Sequence, residues 1–274
     1  MSPAKAMDLS GGPNHGVMSQ PVMKDTGELL NVCKKLSASD MKKLMGVSDA
    51  IAAKDVERYQ NWEKNQSKAV CLAMDGPAYR GFDGSSLSPA ERKVAQKQVR
   101  VLSGLYGVLK PFDAIKPYRL EMGSKLQTSR GKDLYSFWTQ SKMVEELAKD
   151  AKVIVNAASQ EYWKAVLPKG GDTVLGRPLI TVDFPGPSVY AKKARGLICR
   201  YIAQHKCQKP EDLKGFQGAP GDSYVFDPSK STQTKYSFKR VAGAKAGAPP
   251  AKANGLKRAA SSAQTAAAKK ARKA

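Results

Sequence analysis

Residues that hold metals are scarce in this chain, which has four cysteines and two histidines among 274 residues. Cys33, Cys71, Cys199 and Cys207 form no C-x-x-C pair, and only His15 and His205 could add imidazole, so the spacing of a structural zinc site is missing. Free buried thiols in a reducing compartment are the expected state. The N-terminus has no charged-then-apolar leader, and no apolar run approaches the ~18 residues of a membrane span. A soluble intracellular protein with no metal, no cofactor and no membrane contact is expected.

Acidic residues are the second shortage. Lys and Arg number 46 against 24 Asp and Glu, a net charge of +22. After Arg240 the chain turns to Ala, Lys, Gly and Pro with no acid and no aromatic residue, a composition that cannot bury enough apolar surface to order itself. Two regions are therefore expected, a folded body over 1–240 and a disordered basic tail over 241–274. Removing the tail's eight cations from +22 leaves +14 on the body, so the folded part is itself basic and favours polyanions, nucleic acid first. Within the tail, Lys257 and Arg258, a ten-residue spacer, and Lys269, Lys270, Arg272 and Lys273 resemble a bipartite nuclear import signal. The same residues also fit a polycation that only adds affinity for nucleic acid.

The body mixes helix and strand patterns. Helices are expected near 39–45, 48–63, 88–102, 141–149 and 188–206, each with helical periodicity after a Ser or Asp start. Short apolar runs at 69–74, 153–158 and 178–184, with SYVFD and KYSF further on, predict strands. Over 188–206, Tyr190, Ala194, Leu197, Ile198, Tyr201 and Ile202 fall on one side and Lys192, Lys193, Arg195, Arg200 and Lys206 on the other. No acid lies between Phe184 and Pro210, so this face is either a phosphate-facing stripe or an unusually one-signed solvated one.

The stretch LSGLYGVLKP at 102–111 admits two readings. Ser88, Pro89 and Glu91 make a capping box, and the helix they start would run to Leu102 and end at Gly104, a left-handed cap, with Gly107 permitting a tight turn. Alternatively, the glycines form a hairpin whose backbone N–H groups point at a phosphate. Downstream, NAASQEYWKAV at 156–166 carries Asn156, Ser159 and Glu161, which either cap the turn and helix after a strand or, with Arg119 and nearby lysines, line a pocket for a nucleotide or other small anion.

SPAK, SGLYGVLKPFDAIKPYRLEMG, RGKDLYSFW, NAASQEYWK, YAKKARGL and SFKR, in this order over about residues 2–240, resemble the YaaA peroxide-stress protein family. The resemblance implies one compact mixed α/β domain of unusual topology (an α+β fold), a helix-hairpin-helix, a positive cleft and binding of DNA without strong sequence preference. It implies a phosphate-facing turn of Ser103, Gly104, Leu105 and Gly107 with Lys110 beside it. Cleft candidates resting on charge and family motif together are Lys5, Arg119, Lys132, Lys192, Lys193 and Arg195. The family is linked to peroxide resistance and to low free iron; with no iron-ligand cluster in this sequence, an effect on iron would be indirect. Family members usually carry a short apolar strand before SPAK, where this sequence has Met1 alone, which puts the position of Lys5 in question. The resemblance implies a cytoplasmic location, and the tail signal a nuclear one.

Overall fold

The computed structural model describes residues 1–141, 143–168 and 170–241. The import-signal residues of the tail lie outside them. Strand β1 (Ala6–Met7) precedes helices α1 (Lys24–Cys33), α2 (Ala38–Met45) and α3 (Asp49–Gln60). Strands β2 (Lys68–Ala69) and β3 (Met74–Asp75) flank the helical turn α4 (Val70–Ala73). Helices α5 (Pro77–Phe82) and α6 (Pro89–Gln98) lead to β4 (Val101–Ser103), β5 (Gly107–Leu109) and β6 (Ala114–Ile115). Next come α7 (Leu134–Thr139), α8 (Met143–Ala148), β7 (Ile154–Asn156), α9 (Gln160–Trp163), β8 (Thr173–Val174) and β9 (Arg177–Asp183). Helix α10 (Ser188–His205) and strands β10 (Gly218–Ala219), β11 (Asp222–Phe226) and β12 (Lys235–Val241) complete the order.

The main sheet has the order β10-β11-β12-β9-β7, with β8 folded back on β9. β12, β9 and β7 run parallel, whereas β10 and β11 pair antiparallel. Parallel pairing places Asn156 opposite Thr181, so β7 and β9 end on the same side of the sheet. Phe184, Phe216, Tyr224 and Phe238 interlock by stacked and edge contacts, and Tyr201 of α10 packs edge-on against Phe216. A second group, Tyr59, Trp62, Tyr106 and Tyr118, joins α3 to the β4–β5 hairpin and the segment beyond it. Both groups belong to one continuous core.

The mixed α and β character expected from the sequence is present, and the helices at 38–45, 49–60 and 188–205 lie close to their expected positions. Local chemistry accounts for the starts: Ser37 with Asp40 and Ser88 with Glu91 form complete capping boxes. Two expectations are corrected. The run at 69–74 is a helical turn between two short strands, because an apolar segment buried on all sides has no periodicity to separate strand from helix. Helix α6 stops at Gln98, Val99 turns extended at ψ 141°, and Val101–Ser103 becomes a strand. β12 also runs one residue past the expected boundary, to Val241. Among the described residues no helix is long and apolar enough to cross a membrane.

The β8–β9 hairpin turns through Leu175 and Gly176, both left-handed at φ +47° and +73°. A two-residue turn of this kind suits Asn-Gly, and a leucine there is strained and half exposed. Leu175→Asn is expected to raise stability by about 1 kcal/mol, read as a higher thermal midpoint. A lower midpoint would show that the leucine's contacts outweigh the backbone strain.

Candidate functional site

The hairpin of LSGLYGVLKP is made of strands. Val101, Leu102 and Ser103 pair antiparallel with Leu109, Val108 and Gly107, so the expected helix-hairpin-helix is replaced here by a β-hairpin. Its turn is buried: Ser103 and Leu105 are 0% exposed, and Gly104 and Gly107 are buried as well. The N–H groups of Leu105 and Tyr106 donate inward to Ser103 Oγ at 3.2 and 3.1 Å, and Ser103 Oγ shares a 2.6 Å hydrogen bond with Tyr118. Trp138 Nε1 donates to the Gly104 carbonyl at 3.0 Å.

Packing explains both glycines. A Cβ on Gly104 would strike the Leu120 carbonyl oxygen, and one on Gly107, at φ +72°, would lie 2.7 Å from the Trp138 ring. Backbone segments meet here too closely for a side chain. Lys110, at the end of β5, is partly buried; its N–H donates to Asp113, and among the described residues its ammonium makes no ion pair.

The other motifs converge on one polar cluster. Ser159 N–H donates to Ser2 Oγ at 2.8 Å, the two hydroxyls lie 3.2 Å apart, and Tyr79 of α5 donates to the Ser2 carbonyl. Lys5 Nζ reaches Glu121 at 2.8 Å, which seats Lys5 against the 117–123 segment. Arg119 Nη2 meets the same carboxylate at 3.2 Å. Glu161 accepts the Gly123 N–H at 3.1 Å, and its carbonyl accepts from Tyr135 of α7. Asn156 Oδ1 accepts the Ala158 N–H at 2.9 Å, closing the turn after β7. SPAK, PYRLEMG, RGKDLYSFW and NAASQEY, scattered over 160 residues of chain, thus meet in space.

Beneath Arg119 lies Asp55, fully buried, with one oxygen held by Arg58 at 2.7 Å. Its other oxygen and Arg119 Nε are both buried without a partner. Burial raises the Asp55 carboxyl above the usual range, against the opposing fields of Arg58 and Arg119.

Helix α10 divides its cations. Lys193 pairs with Asp222 at 2.6 Å, where Arg240 also arrives at 3.2 Å. Arg200 donates to the carbonyls of Phe82 and Asp83. Lys192 is exposed and Arg195 half-buried, and among the described residues neither makes an ion pair, although the field of Asp183 reaches Arg195. Lys132, exposed just before the Asp133 cap of α7, feels the Asp133 carboxylate but makes no ion pair among the described residues. Of the expected cleft residues, Lys5, Arg119 and Lys193 are therefore ion-paired, and Lys132, Lys192 and Arg195 are not. The pairing acids Glu121 and Asp222 have no linear signal; Asp222 stands 29 residues from Lys193.

The family model for the peroxide stress protein YaaA matches residues 1–230. The chain belongs to the YaaA family. UPF0246 proteins of Burkholderia ambifaria and Aliivibrio fischeri are 39% and 40% identical to it, over 89% and 88% of this chain and 98% and 96% of their own lengths. A UPF0246 protein of Marinomonas sp. is 40% identical over 85% of this chain and 93% of its own. The YaaA match takes in every converging motif and stops before β12 begins at Lys235, so the SFKR string at 237–240 lies beyond it.

Two predictions follow from these contacts. Gly104→Ala and Gly107→Ala are each expected to cost about 2 kcal/mol or more, seen as earlier denaturant unfolding, because the added methyl has no room. Near-native midpoints would show that the hairpin is not tightly packed. Burial alone would raise the Asp222 carboxyl, but Lys193 and Arg240 override it and hold it below the usual range. Its stabilisation is then complete above the unfolded carboxylate range and is lost as pH falls through the depressed folded value. Asp222→Asn should cost about 1–2 kcal/mol near pH 7, with the difference from wild type closing below about pH 4. A pH-independent difference would assign the effect to packing.

Proposed function

We propose that this chain binds DNA through its phosphates, largely without reading base sequence, and that the binding serves protection against peroxide. The supporting observation is the set of motif cations that make no ion pair among the described residues: Lys110, Lys132, Lys192 and Arg195. In a body of net charge +14, such groups are available to a polyanion and gain from counterion release. The β-hairpin supports this surface from within, since its inward N–H groups are already used. The peroxide role rests on the family description.

The rival reading, an enzyme acting on a nucleotide through Asn156, Ser159 and Glu161, draws on their convergence with Ser2. Against it, Glu161 and Asn156 each spend an oxygen on a backbone N–H group, Gly123 and Ala158 respectively. A cavity of about 470 Å³, lined among others by His15, Lys68, Tyr79 and Arg80, borders the cluster at Tyr79 but is not lined by Asn156, Ser159 or Glu161.

Fluorescence anisotropy of labelled duplex DNA, titrated with the full chain at several salt concentrations, tests the proposal. Each phosphate contact contributes about 0.9 to the slope of log K against log salt, so the double variant Lys132→Gln/Lys192→Gln is expected to flatten the slope by about 2. A second form with the tail lysines changed to glutamine separates tail from body. An unchanged slope in the double variant, or binding lost entirely with the tail cations, would overturn the assignment to the body.

A further inference from the structure

The cavity of about 470 Å³ lies between the strap at 8–15 and the chain that runs through β3 into α5. Backbone bonds fix its walls: the Asp8 N–H donates to the Ala73 carbonyl at 2.7 Å, and the Ala69 N–H to the His15 carbonyl at 3.0 Å. Lys68 is the unusual residue on this wall. It is 5% exposed, yet among the described residues its ammonium makes only two hydrogen bonds, both to Asp8, at 3.0 Å to the carbonyl and 3.2 Å to the carboxylate. An ammonium carries three donors, and a buried donor left unmade opposes folding. Lys68 lines the cavity, so a ligand acceptor can take the third.

The rest of the lining mixes both signs with apolar surface. Asp75 and Arg80 pair at 2.7 Å through Oδ1 and Nη1, which leaves Asp75 Oδ2 and the other N–H groups of the Arg80 fork unspent among the described residues. Leu72, Met74 and the Tyr79 ring supply the apolar part. The N–H and hydroxyl of Ser10, with Lys68, hold the Asp8 carboxyl down to about 2, so it is ionised throughout the neutral range. Three carboxylates, Asp8, Asp75 and Asp83, therefore face two cations, Lys68 and Arg80. Although the body is basic, this cavity offers an anion no net attraction.

We propose that this cavity takes a guanine base, either of a free nucleoside or of an unpaired position in DNA. Its volume falls in the range of small-molecule pockets, and the apolar lining suits a flat neutral ring. Guanine carries two donors side by side at N1 and N2 and two acceptors side by side at O6 and N7, an arrangement no other DNA base has. The lining answers both, with an unspent carboxylate oxygen on Asp75 and unspent cationic donors on Lys68 and Arg80. The DNA source rests on the DNA-binding reading; the nucleoside source does not.

The test uses the full chain, with guanosine, GMP and cytidine titrated by calorimetry, and with duplexes in which one guanine faces either cytosine or an abasic site, followed by anisotropy. Guanosine is expected to give saturable heat and cytidine none, with GMP no tighter than guanosine because the carboxylates offset its phosphate. Asp75→Asn and Arg80→Gln break only an exposed pair, so each should weaken guanosine about tenfold while leaving the thermal midpoint in place. Ser85→Trp, at the exposed rim, should block it. The duplex with the unpaired guanine is expected to bind about tenfold tighter than the paired one, a gain that Ser85→Trp removes. Guanosine heat in a chain that binds no DNA supports the pocket while ending the DNA reading. Guanosine heat beside equal binding of the two duplexes assigns the pocket to free nucleosides. Absence of guanosine heat, binding of GMP alone, or guanosine affinity unchanged in both Asp75→Asn and Arg80→Gln would overturn the proposal.

Discussion

The Ser103 hydroxyl holds this structure's motifs in relation to one another. Fully buried, it accepts two N–H groups of its own turn and shares a hydrogen bond with Tyr118. Such a network is stabilising only when every member is satisfied, because an unmade bond in a dry interior is costly. Through Tyr118 the turn positions the 117–123 segment, and through the Gly104 carbonyl it holds Trp138 of α7. The Arg119 carbonyl, one residue on, takes the Tyr59 hydroxyl at 2.8 Å and ties in α3. Arg119, Glu121 and the Gly123 contact to Glu161 all hang from this node.

Above the node, charge is distributed unevenly. Two acids near the site are each used on cations that brace elements: Glu121 on Lys5 and Arg119, Asp222 on Lys193 and Arg240. Arg240 also lies 3.7 Å from the Tyr190 ring centroid, fixing the start of α10 against β12. With 24 acids against 46 cations the pairing cannot be completed, and the remainder gives the surface its sign. Two kinds of cation result, structural ones inside acid pairs and ones that make no ion pair among the described residues.

Much of the fold was legible in the sequence. The 18-residue α10 was readable because its apolar side repeats with the helical period over five turns, and α2 because a Ser-Asp start precedes an apolar-periodic run, although the cap is Ser37, two residues before the expected start at 39. The strands at 154–156 and 177–183 stood out as short apolar runs between polar turns. Helix α1 was missed, since Met23 before it offers no side-chain cap and Gly27 interrupts it. At 99–109 the glycine spacing fitted both a helix end and a phosphate-facing hairpin. Only the neighbours Leu120 and Trp138, distant in sequence, separate these.

The sequence by itself determined the family, the mixed α and β character, the basic balance and the residues from which the site is drawn, because composition, periodicity and motif strings are local properties of the chain. Tertiary structure alone decided which of those residues act together. Whether Lys193 is free depends on Asp222, and whether Gly104 faces a phosphate or a carbonyl depends on the path of residues 117–123. Pairing and burial are set by distances between segments far apart in sequence, and no local pattern encodes them.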